Sequence, residues 1–342
     1  MNKRRKRTLV LLLLAAAALT AVVAVRFAGE RTRQEAGADP GASSGSLTDA
    51  ASYKAISYHN GSATLSFALD GEGRWYWTDD PDFPLDQDYL IGMANTLSTL
   101  KPQQTISDGE PLESYGLSEP ARTLSATAVG GQLTTLALGN ATTDGNSYYM
   151  LMNGSETPVF IISDALVKGM SVGIYDMCLL PELPALTEER VNSVTLTGAV
   201  TTELSASRPQ ARQDGSSSGG EAGGAVWRCG GADVTGDARV QSVLKQLREL
   251  RLDACVDYRP SEGAAALCGF DEPAAVIAAR YTGDGGADKT LTLAVGNQVL
   301  NGEGRYVRVD GDSTIYRMAS EKLDALLEVA GNGLEAAASP AD

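Results

Sequence analysis

Apolar and polar residues alternate with period two over residues 56–58 and 63–69, and further strand-like runs follow over 124–129, 133–138, 147–152 and 158–162. Such alternation puts successive side chains on opposite faces of a strand, so each run is predicted as a half-buried β-strand. Asn60-Gly61 is the expected two-residue centre of the first hairpin, Gly130-Gly131 joins the second pair, and Asn153-Gly154 turns the last. Trp75-Tyr76-Trp77 adds a strand after the Asp70-Gly71-Glu72-Gly73 turn. Between these strands the period changes. Leu90, Met93, Ala94, Leu97 and Leu100 recur at helical spacing behind Asp86-Gln87-Asp88, which offers an N-cap and an acidic first turn. Ser163 is expected to cap a second, short helix holding Leu166 and Met170, and Gly139-Asn140 to break the strand before it.

The same order of elements returns in the second half. Val240, Val243, Leu244, Leu247 and Leu250 repeat the helical face at a constant offset of 150 residues. Tyr115-Gly116-Leu117-Ser118-Glu119-Pro120 is answered by Cys268-Gly269-Phe270-Asp271-Glu272-Pro273, and Trp227 answers Trp75 or Trp77. Beyond that element the offset becomes 157, matching Gly139-Asn140 to Gly296-Asn297, Tyr149 to Tyr306, Gly154 to Gly311, Ser163 to Ser320 and Leu166 to Leu323. Matches held at one register establish an internal duplication. Hairpin strands with segregated helices predict an α+β fold of two tandem duplicated units, at 53–175 and 191–330. Each has antiparallel strands, one amphipathic helix and one short terminal helix. A Gly/Ser-rich insertion at 207–224 and a small-residue tail at 331–342 lack apolar periodicity and read as disordered.

Charge is divided unevenly. The formal net charge is −15, yet the first 26 residues carry six basic side chains and no acidic one, leaving 22 basic against 43 acidic residues elsewhere. An acidic body is repelled by nucleic acid and by anionic polymers, which disfavours binding through a basic patch. The basic tail at 1–7 precedes an uncharged run at 8–25, long enough as a helix (about 27 Å) to cross a bilayer core. The positive-inside rule then puts the N-terminus in the cytoplasm and the bulk of the chain outside. A cleavable signal peptide is the competing reading. Val25-Arg26-Phe27-Ala28-Gly29 is a poor small-x-small cleavage site, which favours an uncleaved signal-anchor, and residues 26–52 read as a flexible linker.

With these motifs in place, the chain resembles the bacterial family called domain of unknown function 4340. The resemblance rests on the N-terminal anchor, on Trp75-Tyr76-Trp77 leading through Asp79-Asp80-Pro81-Asp82-Phe83-Pro84-Leu85-Asp86 into a helix, and on Tyr115 to Pro120. The hairpins after Gly139 and Gly296 and the stretch Thr314-Ile315-Tyr316-Arg317-Met318 also fit. It implies no catalytic residues. Members are often encoded beside ABC-transporter components, so it implies an accessory role in the cell envelope with such a transporter as partner. The second half lacks the Asp-Pro-Asp-Phe-Pro run, so a site built on it would exist once.

Candidate chemistry is sparse. Glu119 and Glu272 invite a paired-carboxylate reading, but Gly116 and Gly269 suit a positive-φ turn, with Leu117 and Phe270 as its anchors and Pro120 and Pro273 opening the next strand. On that structural reading the carboxylates accept backbone N–H bonds, and replacing either by Gln is expected to lower the melting temperature. Asp79, Asp80, Asp82, Asp86 and Asp88 raise calcium, yet their spacing lacks the turn Gly and distal Glu of an EF-hand. His59, the sole histidine, reads as a turn residue, and Trp75 and Trp77 as core more than as a carbohydrate platform. Cys178, Cys229, Cys255 and Cys268 form no C-x-x-C; Cys255 and Cys268 are close enough in sequence for a bridge, although free buried thiols are favoured. No catalytic, cofactor-binding or metal-ligating residue is therefore assigned, and no cofactor. The function expected is that of a non-enzymatic, membrane-anchored extracytoplasmic interaction module. The alternative is a glycan- or peptide-binding module using a cleft between its units.

Overall fold

The computed structural model describes residues 46–48, 52–208, 224–300 and 302–334. The expected basic tail, the membrane segment at 8–25, most of the linker, most of the insertion and the end of the tail lie outside them. Among the described residues no helix is long and apolar enough to cross a membrane. Contacts divide the chain into two compact units. One runs to Asp79 and resumes over Leu90–Ser171; the other takes Asp80–Tyr89 and the chain from Val172 onward. The Asp-Pro-Asp-Phe-Pro run thus groups with the second unit, whereas sequence order had placed it in the first.

The first unit is built on an antiparallel sheet of eight strands among the described residues. In chain order these are β1 (Tyr53–His59), β2 (Thr64–Leu69), β3 (Trp75–Trp77), β4 (Gln104–Ile106), β5 (Arg122–Ala128), β6 (Leu133–Ala141), β7 (Ser147–Met152) and β8 (Val159–Ser163), arranged as β3-β2-β1-β5-β6-β7-β8-β4. Helix α1 (Gln87–Ser98) follows β3, and α2 (Ala165–Met170) follows β8. The α1 face is as its spacing predicts, with Leu90, Met93 and Leu97 buried and Leu100 buried just beyond it.

The second unit repeats this order. Its strands are β9 (Val191–Thr197), β10 (Thr201–Ser207), β11 (Val226–Cys229), β12 (Ala232–Asp233), β13 (Ala254–Asp257), β14 (Ala275–Thr282), β15 (Asp288–Gln298), β16 (Arg305–Val309) and β17 (Ile315–Met318). They lie as β12-β11-β10-β9-β14-β15-β16-β17-β13, the first sheet's order with β12 added at one edge. Helices α3 (Ala238–Arg248), α4 (Glu262–Leu267) and α5 (Asp324–Asn332) complete the unit. Buried Val240, Val243, Leu244 and Leu247 form the inner face of α3, while α5 packs on α3, β9 and β14. Gln246 ties the two helices: its carboxamide oxygen accepts from the N–H groups of Ala325 (2.9 Å) and Leu326 (3.3 Å), donors the first turn of α5 leaves without a helical partner.

Several local expectations are corrected. The first hairpin turns on Gly61-Ser62 instead of Asn60-Gly61. Asn60 donates its N–H to Ala63, and its side-chain oxygen takes the N–H groups of Ser62 and Ala63, so it is the turn's first residue and Gly61 supplies the positive φ. Ser163 ends β8, and Asp164 precedes α2 without a side-chain capping bond. The short edge strands β4 and β13 carry too few residues to show alternation and were not expected. Gly139-Asn140 does not break β6 either. The strand continues to Ala141 through a bulge, and β15 does the same at Gly296-Asn297.

Candidate functional site

The twice-repeated Gly-Leu/Phe-x-Glu-Pro element is a helix stop docked on a bulge. In the first unit a 3-10 turn, Leu112–Tyr115, precedes it; in the second that place is taken by α4. Gly116 (φ 68°) and Gly269 (φ 83°) adopt the left-handed conformation that closes a helix. The bond pattern is the same in both. Gly116 N–H reaches Glu113 O and Leu117 N–H reaches Leu112 O; Gly269 N–H reaches Ala266 O and Phe270 N–H reaches Ala265 O. This paired wrap-back is a Schellman closure, and the apolar residue after its glycine anchors the turn. Leu117 joins Tyr115, Leu151 and Val159 in a buried cluster, and Phe270 is buried with the Arg308 guanidinium 5.1 Å from its ring centre.

Each closure rests on the bulge of the neighbouring strand. A Cβ built on Gly139 would stand 2.2 Å from Tyr115 O, and one on Gly296 2.1 Å from Cys268 O. Asn297 N–H donates to Cys268 O at 2.7 Å, and its carboxamide donates to Leu267 O at 3.1 Å. Two bulged residues face one partner: Gly139-Asn140 oppose Tyr149, and Gly296-Asn297 oppose Tyr306. The Tyr149 ring lies 4.7 Å from that of Tyr115. The residues that betrayed the duplication, Gly-Leu/Phe, Gly-Asn and Tyr, therefore meet at one place in each unit.

The glutamates of the element are exposed, and among the described residues neither carboxylate makes a hydrogen bond or ion pair. The expectation that they accept the turn's backbone N–H groups is overturned, because carbonyls satisfy those groups. Prediction of a lower melting temperature for Glu119→Gln and Glu272→Gln falls with it.

The acidic run has a different fate. Within the second unit Arg259 pairs with Asp80 (3.0 Å) and Asp82 (3.2 Å), and the Tyr258 hydroxyl donates to Asp82 O at 2.8 Å. Phe83 is buried against Tyr258 and Tyr175, with ring centres 5.5 and 6.0 Å away. Asp86 accepts the Asp88 N–H at the start of α1, as its capping position predicts, and Asp79 and Asp88 are exposed. His59 lies on the first hairpin, sharing a 3.1 Å bond with Thr64. Trp75 is buried and Trp77 only half so, and Trp227 is fully buried with its indole N–H on Glu188 (3.3 Å).

The cysteines are free thiols, and Cys268 is not the neighbour of Cys255. That place belongs to Cys178, a residue with no sequence signal to join it to β13. Cys178 follows the 3-10 turn Ile174–Met177, which packs against β13, and pairs in a short antiparallel bridge with Leu85. The Cys178 thiol donates to Leu179 O at 3.8 Å. Interaction with the Cys255 thiol lowers Cys178 from its ordinary value against the effect of burial, and with burial it raises Cys255. Nearby, the Tyr316 hydroxyl donates to Asp312 at 2.6 Å; burial and that carboxylate raise the tyrosine well above its usual range.

No curated protein and no solved structure matches the chain. A family match does exist, over residues 75–222 and 232–332, and its two segments each take in one copy of the helix stop and its bulge. The chain belongs to the family described as Domain of unknown function (DUF4340).

Proposed function

We propose that this protein is a non-enzymatic extracytoplasmic module, held to the membrane by its N-terminal segment and serving a cell-envelope assembly as an interaction component, with an ABC transporter as its partner. One observation carries the reading: several of the side chains singled out for candidate chemistry serve the fold, while Glu119 and Glu272 stand exposed, without partners among the described residues. Asp80 and Asp82 hold Arg259, Asp86 caps α1, Trp75 and Trp227 fill cores, and the repeated element is a helix stop. The basic 1–7 stretch followed by the uncharged 8–25 run supports the anchor and its orientation. The association of the family with transporter components supports the partner.

Purification of the full chain in mild detergent, followed by quantitative mass spectrometry, tests this reading. It predicts reproducible enrichment of ABC-transporter subunits over a control membrane protein with an unrelated exported body. Recovery without any enriched membrane protein overturns it.

A further inference from the structure

We propose that Cys178 and Cys255 are a dithiol–disulfide site whose oxidation staples the Asp80–Asp86 run and the Ile174–Met177 turn to the edge strand β13 of the second unit. Both residues are buried, at 8% and 5% exposure, and the turn that Cys178 follows packs on β13, the strand that carries Cys255. Cys178 is also the point where the run is laced down. Leu85 bridges to it, Asp86 N–H donates to Met177 O at 2.8 Å, and Leu179 N–H donates to Pro84 O at 2.7 Å. Cys255 pairs with Tyr316 on β17, next to a bulge, so a bond between the sulfurs joins the laced segment to the sheet.

The chemistry is a disulfide exchange with a dithiol–disulfide oxidoreductase as oxidant. The Cys178 thiolate attacks one sulfur of the partner's disulfide, and the other leaves as a thiolate. Cys255, deprotonated, then attacks Cys178 in the mixed disulfide, forming the Cys178–Cys255 bond and expelling the second partner thiolate. Two electrons pass to the partner, and the two protons lost by the cysteines balance those its thiolates take up. Cys178 is suited to the first attack because exposed Leu179 and Tyr175 place it beside the surface. Cys178 and Cys255 are 77 positions apart in sequence, and closing a loop of that size raises the melting temperature by roughly 5–15 °C.

The test holds the folded full chain in detergent with oxidised glutathione and a catalytic disulfide oxidoreductase, then blocks free thiols, digests without reduction and maps linked peptides. The expected result is one Cys178–Cys255 linkage with Cys229 and Cys268 still blocked as thiols. The melting temperature should rise, and the rise should vanish on reduction and in both Cys178→Ala and Cys255→Ala. Four free thiols after oxidation, a linkage through Cys229 or Cys268, or a Cys178–Cys255 bond that leaves the melting temperature unchanged or lower would each overturn the proposal.

Discussion

Gly139 lies so close under Tyr115 that a methyl group on its Cα would stand 2.2 Å from the Tyr115 carbonyl oxygen. Its counterpart Gly296 stands in the same relation to Cys268. The helix stop above each bulge is equally constrained, since Gly116 and Gly269 combine positive φ with contact to Asn140 and Asn297. Gly116→Ala and Gly269→Ala are each expected to cost about 1–2 kcal/mol from the left-handed backbone alone. Urea unfolding of the single variants measures this, and an unchanged midpoint would contradict it.

Among the described residues of the second unit, Asp253 and Lys322 form the most enclosed ion pair. Lys322 is buried, its ammonium contacts Asp253, and the Ala319 N–H donates to the same carboxylate at 2.7 Å. Burial opposes the Asp253 charge, but these donors together with the charges of Lys322 and Arg251 outweigh it and hold the carboxyl below its usual range. A carboxylate with a depressed folded pKa stabilises fully above its unfolded value. That contribution is lost as pH falls from about 5 through about 3.9 toward the lower folded value. Asp253→Asn should be less stable than wild type by about 1–3 kcal/mol at pH 7 and should begin to converge with it as pH falls below about 3.9. Unfolding midpoints at four pH values between 7 and 3 check the convergence; parallel curves would refute it.

Arg259 clamps the Asp80–Asp82 end of the acidic run, but its pairs are exposed, so their effect is local. Arg259→Ala should quicken amide hydrogen exchange across residues 80–86 and leave β14 and β15 unchanged. Exchange followed by mass spectrometry resolves the two regions, and uniform protection across both in the variant would exclude the clamp.

Much of this architecture is legible in the sequence because period-two strands and a helical face survive duplication intact. The constant offsets of 150 and 157 locate the repeat, and one sheet order serves both units. The Gly-Leu/Phe-x-Glu-Pro element is legible as a positive-φ turn with an apolar anchor, and a glycine followed by an apolar residue and then proline is also the signature of a closing helix. The short turn Leu112–Tyr115 that it closes has no periodicity to announce it. Gly-Asn looked like a strand breaker because a bulge and a break use the same residues; only the resumed pairing at Ala141 and Gln298 separates them. The Cys178–Cys255 pair was invisible because its partners belong to elements with no shared pattern, and sequence distance favoured Cys268 instead.

The claim at the centre of this account is that the repeated element holds the fold by docking on the bulge glycines Gly139 and Gly296 and not through its glutamates. Equilibrium urea unfolding of Gly139→Ala, Gly296→Ala, Glu119→Gln and Glu272→Gln, side by side, tests it most directly. The two glycine variants should each lose about 1–3 kcal/mol as the new methyl group forces the stop off its bulge. The two glutamine variants should stay within about 0.5 kcal/mol of wild type. Glutamine variants as unstable as the alanine variants, or alanine variants as stable as wild type, would contradict it.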